Sequence, residues 1–109
     1  MMPSFFTRTD WAVRFSPAKA VKEDLFRGAN LFAGLNCFEP GQSQATHVHP
    51  GADKFYLVLS GRAVVRVGDE RQEVEAGSLV WAPADVPHGV EEVLEPTVML
   101  VSIAPPPAR

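Results

Sequence analysis

One cysteine, one tyrosine, two tryptophans and three histidines are all that this 109-residue chain holds of the residue types that most often mark chemistry. The lone Cys37 can close no internal disulfide and has no CxxC partner for zinc. That excludes a disulfide scaffold, fits a reducing cytosol, and leaves a small buried apolar thiol as the expected role. There is no excess of positive charge either, the net charge being −3. Arg62, Arg66 and Arg71 sit among Asp69, Glu70 and Glu73, so no basic stripe is available for phosphates and nucleic acid is not an expected partner. No apolar run approaches the roughly 20 residues of a membrane helix, and the N-terminal "MMPSFFTRTDWAVRF" lacks the apolar core of a secretory signal. A cytoplasmic protein with no membrane partner is expected. Helical periodicity is scarce as well: "SPAKAVKEDLFRG" can make a turn or two, with Ser16 as cap and Pro17 in the first turn, but its apolar residues are too sparse for a long amphipathic helix.

What the chain has in quantity is punctuation, with ten prolines and eight glycines. Between them lie alternating or β-branched runs of strand length, which predict an all-β fold. "NLFAGLNCF" sets Leu31, Ala33, Leu35 and Cys37 against Phe32, Gly34, Asn36 and Phe38 before "EPGQ" breaks it. "RAVVRVGDERQEVE" reads as a hairpin turning at Gly68-Asp69-Glu70. "GSLVWAPADVPHGVEEV" supplies a strand, a proline-bounded loop and a strand starting near His88, and "PTVMLVSIAPPP" an apolar strand that its prolines must end. With 46% hydrophobic residues and no repeat or linker, residues 1–109 make one domain, an N-terminal arm to about residue 25 leading into a sandwich or barrel.

All the histidine sits in two places. His47 and His49 are one residue apart, a spacing that on a strand sends both rings to one face, where they can chelate one ion. His88 follows the rigid loop "PADVP". The order of these residues resembles the two motifs of the cupin superfamily, G(X)5HXH(X)3-4E(X)6G and G(X)5PXG(X)2H(X)3N. Gly41, five residues, His47-Val48-His49 and Gly61 match the first; Gly77, five residues, Pro83 and His88 match the second, with fifteen residues between Gly61 and Gly77. The match runs from Gly41 to Glu92 and is typical of small bacterial cupins.

The resemblance implies a small β-barrel, a double-stranded β-helix or jelly roll of two antiparallel sheets, dimeric through one sheet. It also implies a divalent transition metal (iron, manganese, nickel, zinc or copper) on His47, His49 and His88, an assignment that suits neutral imidazoles. The motif's glutamate is missing: at its place, with six residues between it and Gly61, stands Lys54, whose ammonium has no lone pair to offer. Asp53 replaces the carboxylate from one residue earlier, or three histidines serve alone, or there is no metal. Lys54 is expected to snorkel to solvent beside Asp53 unless it pairs with a substrate carboxylate. Tyr56 shares its strand face and is expected with it at the pocket. Glu92 stands where the motif has asparagine, either as an acceptor for an imidazole N–H or base in the pocket, or as part of a solvated acidic edge. Asp85 replaces the motif glycine in a loop that needs positive φ, which aspartate tolerates better than most residues. Trp81 reads equally as core or pocket wall. Two functions follow. Either the ion activates dioxygen or acts as Lewis acid on a small oxygen-rich molecule, as in dioxygenases and isomerases, or the barrel binds a small molecule without turnover.

Overall fold

The computed structural model describes residues 4–108. Residues 1–3 of the N-terminal arm lie outside the described residues. A short 3-10 turn, Thr9–Ala12, precedes seven strands: β1 Val21–Arg27, β2 Phe32–Phe38, β3 Gln44–His47, β4 Asp53–Val67, β5 Glu70–Glu75, β6 Leu79–Ala82 and β7 His88–Ala104. All pairings are antiparallel. The all-β expectation holds, and the hairpin of β4 and β5 turns through Gly68-Asp69 with Val67 opposite Glu70. The segment read as a helical turn is instead largely β1. "VKEDLFR" pairs with β2 from Val21–Cys37 to Arg27–Phe32, and ladder hydrogen bonds to an apolar neighbour outweigh a weak local preference.

β4 and β7 run side by side through almost their whole length and bend together, so that each serves two sheets. The first sheet is β1, β2, the C-terminal half of β7, the N-terminal half of β4, and β6; the second is β3, the N-terminal half of β7, the C-terminal half of β4, and β5. The register shifts between Val58 and Ala63 mark the bend. Residues opposite one another in an antiparallel pair share a face. Phe32, Gly34 and Asn36 of β2 therefore share the inner face with Ile103, Val101 and Met99, and these with Lys54, Tyr56 and Val58 of β4. The space between the sheets is filled by Phe38, Tyr56, Val58, Val65, Val90, Met99 and their neighbours. A smaller cluster of Leu35, Cys37 and Val98 lies on the outer face of the first sheet, partly covered by Ala12. Cys37 is the buried thiol expected, and burial pushes its pKa up.

The two outer faces differ. The second sheet carries ion pairs, Glu91 with Arg66 and Arg71, and Arg62 with Glu73 and Glu95. On the first, Leu79 is 68% and Trp81 58% exposed, opposite Leu57 and Phe55 of β4. Trp81 is thus not core, and it lies outside the histidine pocket, lining instead a groove along β5 and β6. No helix among the described residues is long and apolar enough to cross a membrane.

Candidate metal centre

Two chain segments, the end of β3 with the residues just after it and the start of β7, bring the histidines together. His47 ends β3 and lies opposite His88, the first residue of β7. The strands can run this close because Gly89 has no side chain; a Cβ there would sit 2.8 Å from the Gln44 carbonyl oxygen. His49 lies beyond the end of β3, and its ring turns back so that its Nε2 stands 3.1 Å from His47 Nε2. Ring centroids are 4.4 Å apart for His47 and His88, 4.8 Å for His47 and His49, and 5.4 Å for His49 and His88.

Backbone carbonyls set the tautomers. His47 Nδ1 is 2.9 Å from the Ala45 oxygen and His88 Nδ1 3.0 Å from the Val86 oxygen; a carbonyl only accepts, so both Nδ1 atoms donate. That leaves the Nε2 lone pairs free to face one another. His88 Nε2 is buried and has no hydrogen-bond partner, an arrangement that normally costs about 1–3 kcal/mol. Among the described residues, the group of donor atoms close enough to hold one ion is His47, His49 and His88, all within 4.8 Å of one another. Nitrogens bound about 2.0–2.1 Å from a common ion at roughly right-angle to tetrahedral spacing stand about 3 Å apart, which the His47–His49 pair already meets. The residues fit a transition-metal ion.

The electrostatics suit a ligand set of neutral imidazoles. Burial, followed by the charges of Lys54 and Lys22, lowers the pKa of His47, and burial, followed by Lys54, His47 and Lys22, lowers that of His49. Burial also brings His88 down to about 4, with Lys54, His47 and His49 adding to it.

Asp53 does not join the group. It is exposed, and its Oδ1 accepts a 2.9 Å hydrogen bond from the Ala84 N–H. Asp85 completes the clamp: its N–H donates to the His49 carbonyl and its Oδ1 accepts from the Gly51 N–H, at 3.3 and 3.2 Å. Asp85 does adopt the positive φ of the motif glycine, at 69°. The two aspartates thus tie the loop bearing His49 to the loop leading into His88. Asp53 points the opposite way from Lys54 because strand pairing has already begun at Asp53, opposite Ala104.

Lys54 does not snorkel. It is only 4% exposed, on the inner face between Ala82 and Ile103, with its Nζ 4.5 Å above the Tyr56 ring. Burial, with the charge of Lys22, brings its ammonium down to about 7. Tyr56 is fully buried beneath, 6.1 Å from the His88 ring, and its hydroxyl donates 2.7 Å to Gln44 Oε1. Glu92 faces solvent, outside the pocket. β7 bulges where Val64 pairs with Glu92 and Val65 with Val90, so Val90 and Val93 both point inward and Glu92 is turned out.

His47, His49 and Lys54 line a pocket of about 480 Å³ together with Lys22, Asn36 and Gln44. A larger groove of about 650 Å³, along β5 and β6 and the loop leading into His88, is lined by no histidine. Asn36, Gln44 and Lys22 escaped the sequence reading. The first had a signal, a lone amide on the Phe32–Phe38 side of an apolar strand; Lys22 had none, since its segment read as a helical turn.

The bent double-layered barrel is a double-stranded β-helix, and three imidazoles facing its interior define a small-barrel protein with a histidine site. Residues 34–103 match the family model described as Cupin domain. The chain belongs to the cupin family. It is 36% identical over 80 residues, 73% of this chain and 75% of the other, to an uncharacterised protein of Streptomyces coelicolor, SCO3923. Among solved structures, TT1209 of Thermus thermophilus superposes with a TM-score of 0.88 at 38% identity, covering 94% of this chain and 98% of that one. An RmlC-like cupin of Desulfovibrio desulfuricans gives 0.80 at 29% identity, over 98% and 100%.

Proposed function

We propose that this cupin holds one divalent transition-metal ion on the Nε2 atoms of His47, His49 and His88 and acts through it on a small oxygen-rich molecule, as a dioxygenase or isomerase. The observation that carries this is the buried, unpartnered Nε2 of His88 aimed at two further imidazoles. Iron, manganese, nickel, zinc or copper suits the donor set. Such an ion supplies Lewis acidity at positions the three imidazoles leave open, and with a redox-active metal a site for dioxygen. The protein's own part is to fix two tautomers through Ala45 and Val86, to hold the loops together through Asp53 and Asp85, and to present Asn36 and Gln44 as amide partners in the pocket. Elemental analysis of the purified protein is expected to find about one metal ion per chain, falling at least tenfold in His49→Ala and His88→Ala. Sub-stoichiometric metal that is unchanged in His49→Ala overturns the assignment. Metal-dependent oxygen uptake with diketones, thiols or phenolic acids marks the dioxygenase; interconversion of isomers without oxygen marks the isomerase.

A second reading, a barrel that binds a small molecule without turnover, is favoured by one observation. The acidic residues lining the pocket are Glu23 and Asp24 on β1; Glu23 is taken by Arg14 and Asp24, opposite Gly34, is exposed at the rim, so among the described residues no carboxylate is buried beside the histidines to serve as base. Ligand binding that survives a chelator, with no turnover, supports it.

We also propose a homodimer through the outer face of the first sheet, where Leu79 and Trp81 remain exposed beside Phe55 and Leu57. Light scattering is expected to give twice the chain mass at micromolar concentration and a monomer for Leu79→Glu/Trp81→Glu. A wild-type monomer refutes the proposal.

A further inference from the structure

Lys54 is the largest departure of this pocket from its family's pattern. A residue only 4% exposed carries an amine on the inner wall, and among the described residues no carboxylate pairs with it. Its Nζ has the face of the Tyr56 ring 4.5 Å away, which is a partner for a cation but does not neutralise one. Of the acids lining the pocket, Glu23 is paired with Arg14, and Asp24 is exposed on β1. Two lysines, Lys54 on the inner wall and Lys22 at the rim, line the pocket together with His47 and His49. Three neutral imidazoles bring no negative charge to a divalent ion. Where the motif's glutamate would subtract one charge, Lys54 brings an amine that adds one whenever it carries its proton. An anion that enters with the ligand balances such a site and holds the amine in its charged form.

We infer that the pocket takes a small organic acid, its carboxylate held by Lys54 and a second oxygen donor directed at the histidine cluster. The inference rests on the metal reading above only for that second oxygen; the carboxylate site stands on Lys54 itself. The pocket's volume of about 480 Å³ lies in the small-molecule range. Asn36, 6% exposed, and Gln44, held by the Tyr56 hydroxyl, line the same wall and provide amide donors and acceptors for the rest of the molecule. Lys22, exposed on β1 opposite Asn36, adds attraction at the rim.

The test uses pyruvate and its neutral counterpart pyruvamide on the full chain, with zinc content measured beforehand. Binding is followed by ligand-observed NMR, with and without zinc. Wild type is expected to prefer pyruvate at least tenfold. Lys54→Met is expected to keep its zinc, to melt no lower than wild type because an unpaired buried amine has been replaced by an apolar chain of similar length, and to lose the preference. A second measurement needs no variant: pyruvate, and not pyruvamide, should protect Lys54 of wild type from an amine-acylating reagent, read by mass spectrometry. Equal binding of acid and amide by wild type, or an undiminished preference in Lys54→Met, overturns the inference. Protection of Lys54 in a protein that takes up no zinc upholds the carboxylate site while the metal reading fails; zinc uptake without any acid preference does the reverse.

Discussion

Gly61→Ala is expected to destabilise the protein by about 3–5 kcal/mol, a large share of the roughly 5–15 kcal/mol that holds a small domain folded. Gly61 sits where β4 and β7 bend together from one sheet into the other, at φ 90°. An L-residue pays about 1–2 kcal/mol for that conformation alone. Its Cβ would also press on the Pro96 carbonyl oxygen and come within 2.5 Å of Thr97 Oγ1. Neither neighbour can yield easily. Thr97 is fully buried, accepts the Arg62 N–H at 3.1 Å and donates to the Glu95 carbonyl at 2.7 Å, thereby bracing both strands across the bend. Gly77→Ala is the control: it too has positive φ, but open space surrounds it, so only the same conformational cost of about 1–2 kcal/mol is expected. Urea denaturation of the three proteins checks the ranking, and a Gly61→Ala midpoint no lower than that of Gly77→Ala would refute it.

Acid is expected to destabilise the metal-free protein through His88 in a definite window. Unfolded, the imidazole takes up a proton as pH falls through about 6.5; folded, burial delays this to about 4. Between those values the unfolded chain binds the extra proton, so stability is full above 6.5, declines as pH falls, and stops declining from this cause below 4. A difference of this size corresponds to about 3 kcal/mol. Because carboxylates also titrate nearby, the measurement is a difference: thermal melts of chelator-treated wild type and His88→Leu from pH 7 to pH 4, with wild type losing more stability across the range. Parallel curves would contradict the burial argument. Burial lowers all three histidines in the same direction, so their Nε2 lone pairs stay available, and bound metal should be retained, at a pH where a free imidazole is already protonated.

Much of this was legible from the residues in order. Short β-branched runs between prolines and glycines specify strands because period two and chain-breaking act locally, and the spacing of Gly41, His47, His49, Gly61, Gly77, Pro83 and His88 identified the barrel and the three imidazoles. β1 escaped because its strand character comes from pairing with β2, which lies beyond any local window. Of the two placements open to Glu92 the structure takes the solvated edge, because period two fails at a bulge that arises from how β4 and β7 bend together.

The sequence by itself thus determined the all-β class, the candidate ligands and the absence of the motif's carboxylate, since each depends on residue identity and spacing along one segment. Tertiary structure alone decided which nitrogen each of His47 and His88 presents, that Asp53 clamps two loops, and that Lys54 turns inward onto the pocket wall with no carboxylate of the described residues paired to it. Those facts depend on what packs against each side chain from distant strands. A lysine can snorkel from almost any strand until Ala82 and Ile103 close over both its flanks.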